Sequence, residues 1–142
     1  MTNNKEDTTM TNIEKVNSFL DEAKTFYFLT IDGDKPKGRP FGFHMLDDGK
    51  LYFGCGTFKN VFSQLMKNPH VEVLAARGNE FMRYDGTVKI VKDEALLEKV
   101  RTAMPQIMSL YDKNGWEMGM FYLENGHAEI RGMLDLKDEF DV

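Results

Sequence analysis

A single cysteine in 142 residues excludes an internal disulfide, and Cys55 fits a chain kept in a reducing cytoplasm. Long hydrophobic runs are missing too. None approaches the roughly 20 residues that span a bilayer, which excludes a transmembrane helix and argues against a membrane partner. The opening residues, Met1 to Asn12, are polar and lack an apolar signal core, so they read as a flexible lead (1–12) rather than a secretion signal. A basic excess is absent: 18 Lys and Arg stand against 23 Asp and Glu, a net charge of −5, where a nucleic-acid surface usually needs a basic stripe. No glycine fingerprint of a dinucleotide fold or P-loop occurs. The three histidines, His44, His70 and His127, have no metal-ligand spacing with one another or with Cys55, so no metal site is expected. Repeats, low-complexity tracts and linkers are lacking as well, which leaves one domain over 13–142.

What is present is an ordinary globular balance of 42% hydrophobic and 29% charged residues, with ten methionines suited to an adaptable interior. Thr11-Asn12-Ile13-Glu14 has capping-box spacing, and Ile13, Val16, Phe19, Leu20 and Ala23 form one apolar helical face ending near Lys24. Phe26–Ile31 reads as a buried strand, followed by turn chemistry at residues 32–36. Lys37 to Leu46 reads as a second strand despite Gly38, Pro40 and Gly42, and Leu51–Phe53 as a third. His70–Ala76 and Phe81–Val91 follow as strands. Asp93 caps a helix, and Pro105 separates it from a second helical piece. Trp116–Leu123 and His127–Met133 read as a closing hairpin around Glu124-Asn125-Gly126. Six or seven strands joined by short turns predict an α+β domain on an antiparallel sheet closed into a barrel.

Two segments carry candidate chemistry. After Leu51–Phe53, Gly54-Cys55-Gly56 hinges into an amphipathic helix expected from Thr57 to Asn68-Pro69. A helix start offers unpaired N–H groups and the positive end of a dipole, which suit a phosphate. Thr57 is placed to cap it, with Lys59 and Asn60 in its first turn; the alternative is an ordinary capped helix with a solvated lysine. Cys55 is either a thiol activated by the helix start or a small packing residue. In the second segment, Arg39-Pro40-Phe41-Gly42-Phe43-His44, the proline and glycines leave backbone groups open to a flat ring, with Arg39 as an anion partner and Phe41 or Phe43 as a wall. A twisted edge strand with an exposed arginine explains the same residues. His44 is a possible proton donor, and Trp116 is either core or a ring-stacking residue.

In the order of its elements the chain resembles the pyridoxamine 5′-phosphate oxidase-like family of FMN-binding split barrels, closest to its short, nitroimidazole-reductase-like members. The landmarks are Gly38-Arg39-Pro40-Phe41-Gly42, the helix ending at Asn68-Pro69 with Val71-Glu72-Val73 after it, Phe81-Met82-Arg83-Tyr84-Asp85-Gly86, and Met120-Phe121-Tyr122-Leu123 followed by Ala128-Glu129-Ile130. The resemblance implies a six-stranded antiparallel split β-barrel with flanking helices. It implies a homodimer with FMN in each of two clefts at the subunit interface. Arg39, Pro40, Phe41, Gly42 and Phe43 would line the isoalloxazine ring. Thr57, Lys59 and Asn60 would hold the phosphate, with Gln64 one turn beyond. Cys55 and Gly56 would pass close to the cofactor, and Trp116 would approach from the other subunit. The expected activity is reduction of a small electron-poor substrate. The alternatives are a non-catalytic FMN-binding electron carrier or redox/stress protein, and a split barrel that binds haem or a deazaflavin. The acidic end, Asp135 to Val142, departs from the basic, phosphate-gripping end of the vitamin B6 oxidases and would repel a substrate phosphate.

Overall fold

A computed structural model describes residues 10–142. Of the expected lead, residues 1–9 lie outside the described residues, whereas Thr11 and Asn12 already belong to the first helix. The elements run α1 (Asn12–Ala23), β1 (Phe26–Asp32), β2 (Lys35–Phe41), β3 (Met45–Asp47), β4 (Lys50–Gly56), α2 (Asn60–Lys67), β5 (His70–Arg77), β6 (Glu80–Val91), α3 (Glu94–Ala103), α4 (Pro105–Asn114), β7 (Met118–Arg131) and β8 (Leu136–Asp141). Caps fix the helix starts where the sequence signals them. Thr11 and Glu14 form the reciprocal capping box of α1, and the Asp93 side chain accepts from the N–H groups of Ala95 and Leu96 at α3. Pro105 opens α4, where its missing N–H costs nothing.

The strands form one antiparallel sheet in the order β2-β1-β5-β6-β7-β4-β3, with β8 paired to β7. Strands β2 and β3 stand at opposite ends of this path, yet only residues 42–44 connect them. Three residues reach about 10 Å, so the sheet must curl until its two edges come close without pairing. The fold is an α+β split barrel whose sheet is not closed, with eight strands rather than six.

Period-2 alternation sorts the core. On β1, Phe26 and Phe28 point inward, and on β4, Leu51, Phe53 and Cys55 join them against Phe19 and Leu20 of α1 and Phe121 of β7. The opposite face of β4 and β7 carries Tyr52, Met118 and Met120 under Leu96, Val100, Met108 and Tyr111 of α3 and α4. Both faces of β4 are thus covered, which explains its unbroken apolar sequence.

Two expectations change. The single strand over Lys37–Leu46 is broken into β2 and β3, the break containing Gly42. The closing hairpin is instead one continuous strand, β7. Its Asn125-Gly126 pair forms a bulge opposite Gly86: Asp85 pairs with His127 and Thr87 with Glu124, so two residues face one. Asn125 takes φ 53°, and a Cβ on Gly126 would sit 2.9 Å from the Tyr84 ring. The acidic end, for which no element was expected, forms the edge strand β8, whose Asp141 (2.9 Å) and Glu139 (2.8 Å) flank the ring of His127 on β7.

Candidate functional site

The seam between the two sheet edges opens into a cleft of about 290 Å³. One side is the end of β2 and the connector, bringing Arg39, Pro40, Phe41, Gly42 and Phe43; another is the end of β4 with Cys55, followed by Lys59 before α2. Seven of the sequence-predicted residues therefore share one concavity, although 12 or more residues separate the two segments. No carboxylate lines it.

Arg39 is turned toward the interior. Register places it opposite Phe28 and places Phe41 opposite Phe26, so both β2 side chains stand on the face that carries the aromatic core. The Phe41 ring stacks on Phe28 at 5.0 Å and 17°, which fixes that wall of the cleft. The Arg39 guanidinium donates through Nη1 to Phe28 O (3.0 Å) and Thr30 Oγ1 (2.8 Å), and through Nη2 to Gln64 Oε1 (2.7 Å). Burial lowers the pKa of Arg39 from its usual value, an effect the nearby Cys55 thiolate would oppose.

Lys59 is exposed and immediately precedes α2. It serves as the N-cap with extended backbone, φ −84°, and its side chain makes no capping bond. The first N–H groups of α2, on Asn60 and Val61, therefore lack the side-chain cap present at α1 and α3. Helix α2 begins after Lys59, later than expected, because residues 56–59 form a turn: Lys59 N–H donates to Gly56 O at 3.0 Å, and Thr57 N–H donates to Glu117 O at 3.0 Å. Thr57 is not the cap. Its side chain faces a separate cavity of about 310 Å³ with Phe62, Ile90 and Leu97.

The remaining candidates do not line the cleft. Gly56 is buried beneath Phe58, whose ring would lie 2.5 Å from an added Cβ. Asn60 is exposed at the first position of α2, and Gln64 reaches the site only through Arg39. Trp116 packs on Phe58 (4.7 Å) and Tyr111 (5.6 Å) of its own chain while remaining 40% exposed. His44 is held against α1, with Nδ1 2.7 Å from Asn17 Oδ1 and Nε2 3.0 Å from Asp21 Oδ1. Burial lowers its pKa, with Asp21 opposing, and His44 is not among the residues of the cleft.

Arg77, Arg83, Arg101 and Arg131 pair with carboxylates, which leaves Arg39 as the one arginine among the described residues that does not; Lys59 is likewise unpaired, as are several other surface lysines. Arg39 and Lys59 thus bring two cations to a cleft without a carboxylate, a lining whose charge and apolar walls suit an anion with an apolar body.

Residues 13–129 match the family model described as pyridoxamine 5′-phosphate oxidase. The chain belongs to this family. Among solved structures, a NimC/NimA family protein from Clostridium acetobutylicum superposes with a TM-score of 0.84 at 26% identity, over 98% of this chain and 99% of that one. A pyridoxamine 5′-phosphate oxidase-related, FMN-binding protein from Nostoc punctiforme gives 0.65 at 14% identity, over 94% and 90% of the two chains. A haem-binding protein from Mycobacterium smegmatis gives 0.67 at 10% identity, over 93% of this chain and 58% of that one. The last two likenesses show the fold. No curated protein matches the chain.

In this member of the oxidase family, the sequence reading missed the cover of the cleft. Met104, Ile107 and Tyr111 approach from the α3–α4 corner, and Met118 from β7. The available signal was the i,i+4 spacing of Ile107 and Tyr111 after Pro105. Of the two readings of Cys55, burial favours the packing residue. Burial pushes the Cys55 pKa up to about 11 even though Lys59 and Arg39 pull it down. Cys55, 5% exposed, should therefore stay a protonated packing residue at neutral pH. Thiol titration of the folded protein at pH 7.5 should find it unreactive, and denaturant should release one equivalent; rapid labelling of the folded protein would refute this.

Proposed function

We propose that the protein is an FMN-binding flavoprotein that reduces a small electron-poor compound such as a nitroaromatic or quinone, as a cytoplasmic homodimer with the flavin between subunits. The observation that carries this reading is the carboxylate-free cleft in which Arg39 and Lys59 stand beside Phe41 and Phe43. A phosphate monoester carries close to two negative charges at neutral pH, which two cations and a helix start can balance. Phe41, Phe43 and Ile107 give the ring system apolar walls. The cleft's 290 Å³ lies just below the range of about 300–1,000 Å³ typical of complete small-molecule sites. A second copy laid over the half-exposed Ile107, Leu110, Phe58 and Trp116 would enlarge it and exclude water.

The residues fit FMN in kind: Lys59 and Arg39 toward the phosphate, the 39–43 segment and Cys55 along the ring. Bound flavin supplies the hydride and electron chemistry, and the chain supplies orientation, charge and a dry wall. Tyr111 keeps its phenol proton, because burial raises its pKa. Membership of the oxidase family and the FMN-binding description of the Nostoc relative support the cofactor. No helix among the described residues is long and apolar enough to cross a membrane, in keeping with the proposed compartment. A haem ligand is the second reading, because Met104, Met118 and Tyr111 line the cleft with groups that can ligate iron and a structural relative is described as haem-binding.

Heating the purified full-length protein and weighing the released small molecule tests the proposal. FMN is expected, with a yellow holoprotein that oxidises NAD(P)H when a nitroaromatic is added. A Soret band would favour haem. A colourless monomer that ignores added FMN would overturn the reading.

A further inference from the structure

Thr30 is 2% exposed and is the one polar residue in the buried core among the described residues. It stands on the inward face of β1 with Phe26 and Phe28, where a hydroxyl is unfavourable unless both its donor and acceptor roles are filled. Arg39 and Gln64 fill both. Thr30 Oγ1 accepts from Arg39 Nη1 at 2.8 Å and donates to Gln64 Oε1 at 2.6 Å, and Gln64 Oε1 accepts from Arg39 Nη2 at 2.7 Å. The three contacts close a ring joining β1, β2 and α2. None of them uses Arg39 Nε, and a guanidinium has five N–H donors, so the cation is anchored with donor capacity left over.

Both anchoring groups are neutral. A carboxylate in the place of Gln64 would hold the guanidinium more strongly but would cancel its charge toward anything else in the cleft. A socket meant only for stability would favour the carboxylate. A socket meant to hold a cation for an incoming anion needs neutral acceptors. Gln64 also lies on the helix that begins just after Lys59, so the same ring ties Arg39 to the helix at whose start Lys59 stands.

We infer that Thr30 and Gln64 are positioning residues that hold Arg39 as an uncompensated cation and thereby set a preference for a phosphorylated ligand over its unphosphorylated counterpart. The inference rests on the flavin reading above and deepens it. Riboflavin is FMN without the phosphate, so titrating both into the flavin-free full-length protein, followed by quenching of flavin fluorescence, isolates the effect. Gln64→Glu is expected to weaken FMN roughly tenfold or more, the scale of one charge-assisted contact, with riboflavin affinity unchanged and thermal stability held or raised. Thr30→Val should shift the FMN-to-riboflavin ratio the same way by a smaller factor, and Thr30→Ser, which keeps the hydroxyl, should restore it. Equal losses for both flavins would mark a purely structural role and overturn the inference. So would an unchanged ratio in Gln64→Glu and Thr30→Val when wild type prefers FMN. Wild-type protein that binds neither flavin would overturn the cofactor reading, and the inference with it.

Discussion

Truncating Phe28 to alanine is expected to lower the unfolding free energy by about 3–5 kcal/mol, read as a fall in the urea midpoint at unchanged slope. Phe28 has no exposed surface and its ring meets rings of three other strands. Its ring stacks on Phe41 of β2 and meets Phe53 of β4 and Phe121 of β7 at 5.7 and 5.4 Å in edge-to-face pairs. Alanine would leave a void bounded by those rings, beside the open seam where β2 and β3 make no ladder and the rings of Phe28, Phe41 and Phe53 span the gap. Domains of this kind have about 5–15 kcal/mol in total, so the loss is a large share. Phe28→Leu fills more of the space and should cost much less. That variant also isolates the effect on the site, because Phe41 loses its stacking partner while the Phe28 carbonyl still accepts from Arg39. A midpoint unchanged in Phe28→Ala would show that the edges are held together some other way.

The same residue shows what the sequence made legible. β-Former content over Phe26–Ile31 identifies a strand, but the near-continuous apolar run does not say which face is inward, and Thr30 was not singled out. Its partners Arg39 and Gln64 lie nine and 34 positions away, and no local pattern joins them. Caps and proline signals were equally local and located α1, α3 and α4. The failures came where tertiary pairing overrode a local preference. Asn125-Gly126 has hairpin chemistry, yet the ladder between β6 and β7 continues past it and absorbs the extra residue as a bulge. Thr57 has capping chemistry, yet its N–H is drawn to Glu117 O across the β4–β7 pair, so the helix starts later. Cys55 was no failure, since packing was one of its two readings; its place in the core decides between them, because desolvation outweighs the two nearby cations.

The candidate site was legible to the same extent. The two segments 39–43 and 55–59 were separately ambiguous, each with an ordinary structural explanation. Bringing them to one carboxylate-free cleft is what favours the ligand reading, and that convergence depends on sheet curl, which composition does not encode. The i,i+4 spacing of Ile107 and Tyr111 marks an apolar helical face, but that this face covers the cleft with Met104 depends on the same curl.

Neutralising both cations, with Arg39→Gln and Lys59→Ala in one chain, should weaken FMN by roughly 10²–10⁴-fold, since each charge-assisted contact is worth about 1.5–3 kcal/mol. Riboflavin, which keeps the apolar contacts with Phe41 and Phe43 but has no phosphate, should bind the double variant nearly as well as wild type. Salt separates the two cations. Lys59 is exposed, so its share should fade as the Debye length shrinks toward 3 Å at 1 M ionic strength. Arg39 is half-buried, so its share should persist. Lys59→Ala alone would then matter at low salt and little at high salt, whereas Arg39→Gln would matter at both. Stability needs a separate check, because Arg39→Gln leaves Thr30 Oγ1 to be satisfied by an amide; urea midpoints of the single and double variants equal to that of wild type would establish that binding, not folding, was lost. If the double variant keeps wild-type affinity for FMN across that salt range, the two cations are a surface coincidence, and the cleft's ligand is not recognised through a phosphate.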